Sequence, residues 1–529
     1  MQFKHGELVV QELSCAQHQA RDAADLERHG KKQRFERNFG FLSMLGFPTT
    51  MMCTWEAVPF VRVNYYEWRC FAEDKPSANP TAMIDGGPVT LVYGYFFCWF
   101  ETLVTAMSLA ELASMAPTSS GQYHWVAMLA LKGHAVFLSW VTGWVDMIGW
   151  WANTATGVYF GDTLTQGLLV LNYPNYIYQR WHGTLLMSAE LGICVLVNSI
   201  GARLLPKVEG LILIVHTIGF FAVLIPLVYL APHQHASSVF GSFVNSSGWS
   251  NAGLTWLVGL KGTNLPFIGY DGPCHMGLLA HHCLAAEEVV NASIIVPWCM
   301  IGAILLNGTL GLAIDALNSA TGYDFIEIFF NATKSHAGTS VMTAIPTALV
   351  ICASFGFLAS TSRLTWAFAR DKGVPFSEYF SHVSTNNAIP MRAVGLAAVI
   401  TACICVINVG SSAAFNAFVS LNTASLFLSY LIPITLIVMK RMRGQSIPFG
   451  PWTLGCLGIA VNLASIGFLT ITIFFSFFFS ELPVTTVNMN WSVVVFFGEL
   501  VVGLAWYAVR GRHVYQGPLV KTGVGLYLM

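Results

Sequence analysis

Twelve runs of about twenty mostly apolar residues recur along this chain, and that recurrence limits its folding more than any other feature. They lie near residues 39–59, 89–115, 134–160, 181–201, 208–231, 253–276, 294–317, 341–365, 393–409, 414–439, 452–480 and 491–509. A run of that length crosses the hydrocarbon layer of a bilayer as a helix. Within that layer only helices and closed barrels satisfy their own backbone. The expected fold is all-α and integral to the membrane, with twelve transmembrane helices. Composition agrees: of 529 residues 55% are hydrophobic and 10% charged, where a soluble domain carries about 25% charged residues. A formal charge of −1 leaves no basic surface for phosphate and argues against a nucleic-acid partner. The twelve cysteines are scattered singly, without a CxxC pair, and read as small core hydrophobes.

Orientation follows from the basic residues. With the N-terminus in the cytoplasm, twenty of the 26 Lys and Arg fall on the inner side and five on the outer, with Lys261 inside a crossing. Residues 1–38 and 510–529 then form cytoplasmic tails. The polar first segment does not read as a cleavable signal peptide, so the first crossing serves as its own insertion signal. Glycosylation sequons at Asn245, Asn331 and Asn490 fall on outer loops, whereas those at Asn291 and Asn307 do not. The polar segments are short, with no room for a separate catalytic domain.

Two crossings carry interruptions. The first contains Leu45-Gly46-Phe47-Pro48-Thr49-Thr50 and the sixth contains Gly262-Thr263-Asn264-Leu265-Pro266-Phe267-Ile268-Gly269-Tyr270-Asp271. Proline removes an amide donor, and glycine lets the chain leave helical geometry. At membrane depth such backbone is tolerated only where it lines a cavity or is buried in protein. The interruptions sit five crossings apart, an odd number, so a second copy of five helices enters the membrane upside down. That is the pattern of an inverted-repeat transporter.

Several strings then resemble a known group, the fungal amino acid/choline/GABA permeases of the amino acid–polyamine–organocation superfamily. They are Lys31-Lys32-Gln33 through Arg37-Asn38-Phe39-Gly40, Ala110-Glu111-Leu112-Ala113-Ser114-Met115-Ala116-Pro117-Thr118 with Gly121-Gln122-Tyr123-His124-Trp125, and Gly269-Tyr270-Asp271-Gly272. Asn291-Ala292-Ser293 with Val296-Pro297, and Ser362-Arg363-Leu364-Thr365-Trp366-Ala367-Phe368-Ala369-Arg370-Asp371, belong to the same resemblance, which covers nearly the whole chain from Asp25. It implies a five-plus-five inverted repeat, here 39–231 and 253–439, followed by two extra helices in 452–509. It also implies proton-driven secondary transport of amino acids or small amines such as GABA, choline or a polyamine, in the plasma membrane rather than the vacuolar one. Segments 60–84 and 277–285 depart from the pattern as insertions.

A zwitterionic substrate needs backbone amides for its carboxylate and carbonyls for its ammonium. By resemblance, the amides around Leu45, Gly46 and Phe47 and the carbonyls around Phe267, Ile268 and Gly269 form this site. Phe47, Phe267 and Tyr270 wall it, and Trp366 adds an aromatic face for a quaternary ammonium if it points inward. Ionisable residues at bilayer depth are costly unless paired or wet. Glu101, Asp146, Glu190, His216 and Asp271 fall there. His216 is the first candidate for proton coupling, since an imidazole with a pKa near 6.5 changes charge in the physiological range. Asp271 is the second, for coupling or gating, and Glu111 anchors the inner gate region. Cys274, His275, His281, His282 and Cys283 match no standard zinc spacing, so neither metal nor cofactor is expected. The alternatives are an intramembrane enzyme using a buried histidine and a non-transporting nutrient sensor.

Overall fold

The computed structural model describes residues 41–57, 81–173, 175–177, 179–202, 204–231, 236–276, 291–318, 325–384, 389–410, 412–485 and 489–518. The insertion 277–285 and most of 60–84 lie outside them. The architecture is helical. The principal helices are α1 (Phe41–Met52), α2 (Thr54–Ala57), α3 (Pro88–Met115), α4 (Gly121–Leu129) and α5 (Ala135–Asn172). They continue with α6 (Arg180–Ser199), α7 (Leu205–Leu230), α8 (Ala252–Asn264), α9 (Gly272–His275) and α10 (Ala292–Asn318). The last are α11 (His336–Arg370), α12 (Met391–Gly410), α13 (Ser412–Met442), α14 (Gly458–Ser476) and α15 (Ser492–Trp506).

Among the described residues, eight helices are long and apolar enough to cross a membrane: α3, α7, α10, α11, α12, α13, α14 and α15. Helices α5 and α6 are as long but more polar. The reason is visible in α5, which buries Asp146, Asn153, Thr154, Asp162 and Gln166 against other helices instead of facing hydrocarbon. Two further helical stretches are interrupted, α1–α2 and α8–α9. Packing joins α5 to α11 and α13, α3 to α10, and α1 to α7, α10 and α11. Helices α7, α14 and α15 line the outside. On α7, His216, Phe220, Val223 and Leu227 recur at helical spacing on the buried face, while Ile218, Ile225 and Tyr229 point outward. A two-residue ladder pairs Asp85 with Asn245 and Gly86 with Val244, tying the start of α3 to the segment before α8.

The first interruption is not where the Gly-Pro pair suggested. Helix α1 runs unbroken through Gly46, Phe47 and Pro48, and the chain leaves helical geometry at Cys53, with φ of 44°. Gly46 has another purpose. A Cβ there would meet the Glu209 carbonyl oxygen at 2.6 Å, so the absent side chain lets α1 lie against α7. The expectation that Asn490 is an accessible sequon also fails. Its side chain is buried and donates to the carbonyls of Ser476 at 2.8 Å and Phe478 at 3.0 Å.

Two outcomes follow. Gly46→Leu forces backbone apart from backbone and costs about 1–3 kcal/mol, seen as a lower melting temperature of the purified protein; an unchanged value would show that α1 and α7 separate freely. At the two-residue ladder, burial pushes the Asp85 carboxyl up from 3.8 to about 7. Its neutral form is therefore favoured in the fold, and its contribution is complete below about pH 4, declines as the unfolded chain ionises and is lost by about pH 7. Thermal unfolding of Asp85→Asn beside the parent across that range checks this, with the parent losing stability relative to the variant as pH rises.

Candidate functional site

The break in α1–α2 exists because a neighbouring helix completes it. Helix α1 ends at Met52, and the Thr49 carbonyl lies in its last turn. Here Asn307 of α10 donates its Nδ2 to that carbonyl at 2.9 Å and accepts from the Thr54 hydroxyl at 3.0 Å. The Cys53 thiol donates to the Thr50 carbonyl at 2.8 Å. Thr49 and Thr50 hydroxyls donate back to the carbonyls of Leu45 and Gly46, both at 2.7 Å. The amides of Leu45, Gly46 and Phe47 thus lie inside a helical ladder, and the non-helical backbone of this span falls at Cys53 instead.

The second break lies within the interruption read from the sequence. Helix α8 ends at Asn264 and tightens into a single turn over Leu265–Phe267. Ile268 is then extended, and Gly269 takes φ of 106°, a conformation that L side chains rarely adopt. The two breaks abut. A Cβ on Gly269 would lie 3.3 Å from Met51 Cβ, and Cβ positions on Gly272 and Gly356 would also strike the Met51 side chain. Three glycines from two elements therefore shape the space that Met51 fills. Phe47, Met51, Phe267, Ile268 and Tyr270 are all buried around this contact. Tyr95 of α3 packs on Phe267 with centroids 5.0 Å apart, and Tyr430 of α13 packs on Tyr270 at 5.6 Å. Trp366 does not join them: its indole donates to the Ser381 carbonyl at 3.0 Å, away from the breaks.

The ionisable residues fall into three groups. His216 Nδ1 meets Glu56 Oε1 at 2.6 Å, both fully buried, which ties α7 to α2 just past the first break. Glu56 lies inside the first apolar run and was legible there as an acid at bilayer depth, although the sequence reading passed over it. Glu101 accepts from Thr472 at 2.8 Å and Glu190 from Ser354 at 2.8 Å. Toward the end where α3 stops, Glu111 binds Arg441 at 2.7 Å and accepts the Leu454 amide at 2.9 Å. Nearby, Gln122 donates to Asp271 at 2.8 Å, Tyr123 donates to Asp371 at 2.8 Å, and Arg370 reaches Ser120 at 3.2 Å. The two long strings at 110–125 and 362–371 thus meet one another and the segment after the second break. Asp146, Asp271 and His275 gather on the same side.

Broken helices facing one another inside a bundle of apolar helices, with buried acids paired across it, define a multi-pass membrane carrier. The comparisons specify the class. The amino acid permease family matches residues 77–498, and the chain belongs to that family. It is 30% identical to the amino-acid permease BAT1 of Arabidopsis thaliana, over 83% of this chain and 88% of that one. A BAT1 homolog from Oryza sativa subsp. japonica is 28% identical over 94% and 95% of the two chains. The choline transporter of Saccharomyces cerevisiae is 27% identical over 81% and 76%. The protein is accordingly a membrane transporter for amino acids or related amines, and not an enzyme.

Removing Asn307 tests how the first break is held. Asn307→Leu removes the hydrogen bonds that Asn307 makes to Thr49 and Thr54 in a buried site, a loss of about 1–3 kcal/mol. A fall in melting temperature with reduced folded yield is expected, and Asn307→Asp, which keeps only an acceptor, does not restore it.

Proposed function

We propose that this permease is a proton-coupled secondary transporter working by alternating access, with substrate held between the two breaks. The single observation carrying this is the contact of Met51, two residues before the first break, with Gly269 in the second, which brings the two interruptions to one place. The eight apolar helices, the two more polar ones and the two interrupted spans together make twelve crossings. The odd spacing of the broken spans supports the inverted repeat, with 39–231 and 253–439 as its halves and 452–509 beyond them. The excess of basic residues on one side supports cytoplasmic tails at 1–38 and 510–529, and the resemblance favours the plasma membrane.

In this scheme carbonyls near Ile268 and Gly269, and those at the end of α1, receive the substrate ammonium. Phe47, Phe267 and Tyr270 enclose it, joined by Tyr95. An aromatic enclosure also suits a quaternary ammonium, which has no N–H to donate. Proton coupling resides in the His216–Glu56 pair. It is buried and bridges α7 to the first break, so a change of charge there alters the cost of keeping α2 in place. Asp271, held by Gln122, belongs to the inner gate, and the Glu111–Arg441 pair anchors the same end.

Purified protein in proteoliposomes, given labelled amino acids, GABA, choline and polyamines with and without a pH gradient, tests the scheme. At least one amine or amino acid accumulates uphill when the gradient is imposed. His216→Ala and Glu56→Gln abolish that accumulation, by tenfold or more, while exchange of internal for external substrate persists. Full uphill uptake by both variants would remove the pair from coupling, and no flux of any substrate under any gradient would sink the transport scheme itself.

A further inference from the structure

We propose that Asp146, Asp271 and His275 form a binding site for a divalent transition cation of the zinc class, bridging α5 to the segment that follows the second break. One ligand atom from each residue lies within 4.8 Å of the others, and all three side chains are buried. The residues come from distant parts of the chain, so the grouping is a product of the fold and not of a local run of acids.

Each donor is oriented by a further contact. Ser429 donates to Asp146 Oδ1 at 3.0 Å, and Gln122 donates to Asp271 Oδ2 at 2.8 Å. His275 Nδ1 faces the Ser119 carbonyl at 3.4 Å, and Trp150 stands edge-on to the ring at 5.3 Å. An Nδ1–H directed at a backbone carbonyl leaves the Nε2 lone pair free, the arrangement that metal-bound histidines use to fix tautomer and ring angle. Asp146 Oδ2, Asp271 Oδ1 and His275 Nε2 make no hydrogen bond of good geometry among the described residues, although they are buried, and the Tyr430 hydroxyl is a further neighbour of Asp271. No Lys or Arg forms an ion pair with either carboxylate among the described residues.

The spacing fits a bridging metal better than a shared proton. His275 Nε2 lies 3.5 Å from Asp271 Oδ2. A charge-assisted hydrogen bond closes to about 2.7–2.9 Å, as His216 and Glu56 do at 2.6 Å. Two ligands bound at about 2.1 Å in tetrahedral geometry stand roughly 3.4 Å apart. One imidazole with two carboxylates selects a zinc-like ion over magnesium or calcium, which take oxygen donors. Three protein donors also match zinc sites that keep a fourth position open. Such an ion neutralises both buried carboxylates and holds α9 against α5.

Titration of the purified full-length protein with Co2+, read by visible absorption and competed with Zn2+, tests the site without relying on transport. Four-coordinate Co2+ bands appear in the parent and disappear on adding Zn2+. Asp146→Asn and His275→Gln weaken Co2+ binding at least tenfold, and Ser429→Ala weakens it about tenfold, as loss of an orienting contact does. Cys274→Ser leaves it unchanged, because that thiol points to Met300 Sδ, 3.6 Å away. Absence of the bands in the parent would overturn the proposal. So would their survival in Asp146→Asn, or their loss on replacing His281, His282 and Cys283, which lie outside the described residues. Should the site variants not fold, a thiolate-to-cobalt band in the near ultraviolet of the parent overturns it equally, since the three donors include no sulfur.

Discussion

Everything in this structure depends on how backbone groups are satisfied where water is scarce. A helix that stops in such surroundings leaves carbonyls without donors, each costing a few kcal/mol. The chain meets that cost at Cys53 by importing a donor, the Asn307 side chain, onto the Thr49 carbonyl. It meets it after Phe267 with one tight turn and a glycine at positive φ. The first solution uses a packed neighbour and the second is local to its own backbone, yet contacts through Met51 bring the two breaks together. Met51 then packs onto the second break in the space that glycines at 269, 272 and 356 leave.

The charged groups follow the same logic. Acids buried among helices are retained where another element supplies a donor, as with Glu101 and Thr472, Glu190 and Ser354, and Glu111 and Arg441. Each of these contacts joins helices far apart in the chain, so the polar groups fix which helices neighbour which. The His216–Glu56 pair adds a titratable group to that frame beside the first break. The Asp146–Asp271–His275 group sits beside the second, joining α5 to the segment that follows it.

Much of the fold was legible in the sequence. Apolar length announces a crossing wherever lipid covers the helix, and it did so for α7 and α15. The helix-six break was legible because glycine and proline act on their own backbone. Gly46 and Pro48 misled for a related reason. Pro48 sits inside α1, where it leaves only the carbonyl of Met44 without its helical donor, and Gly46 serves close packing on Glu209 rather than a break. Trp366 likewise carried the right chemistry in the wrong place, since a tryptophan says nothing about which way its helix turns.

By itself, then, the sequence determined the class of molecule, a bundle of apolar helices spanning a membrane, and one of its two interruptions, because hydrophobic length and backbone freedom are local properties. Tertiary structure alone decided where the first helix stops, which acid faces His216 and which donors gather around Asp271. Those outcomes depend on contacts such as Asn307 with Thr49, 258 residues apart in the chain, and no local property of either residue specifies the other.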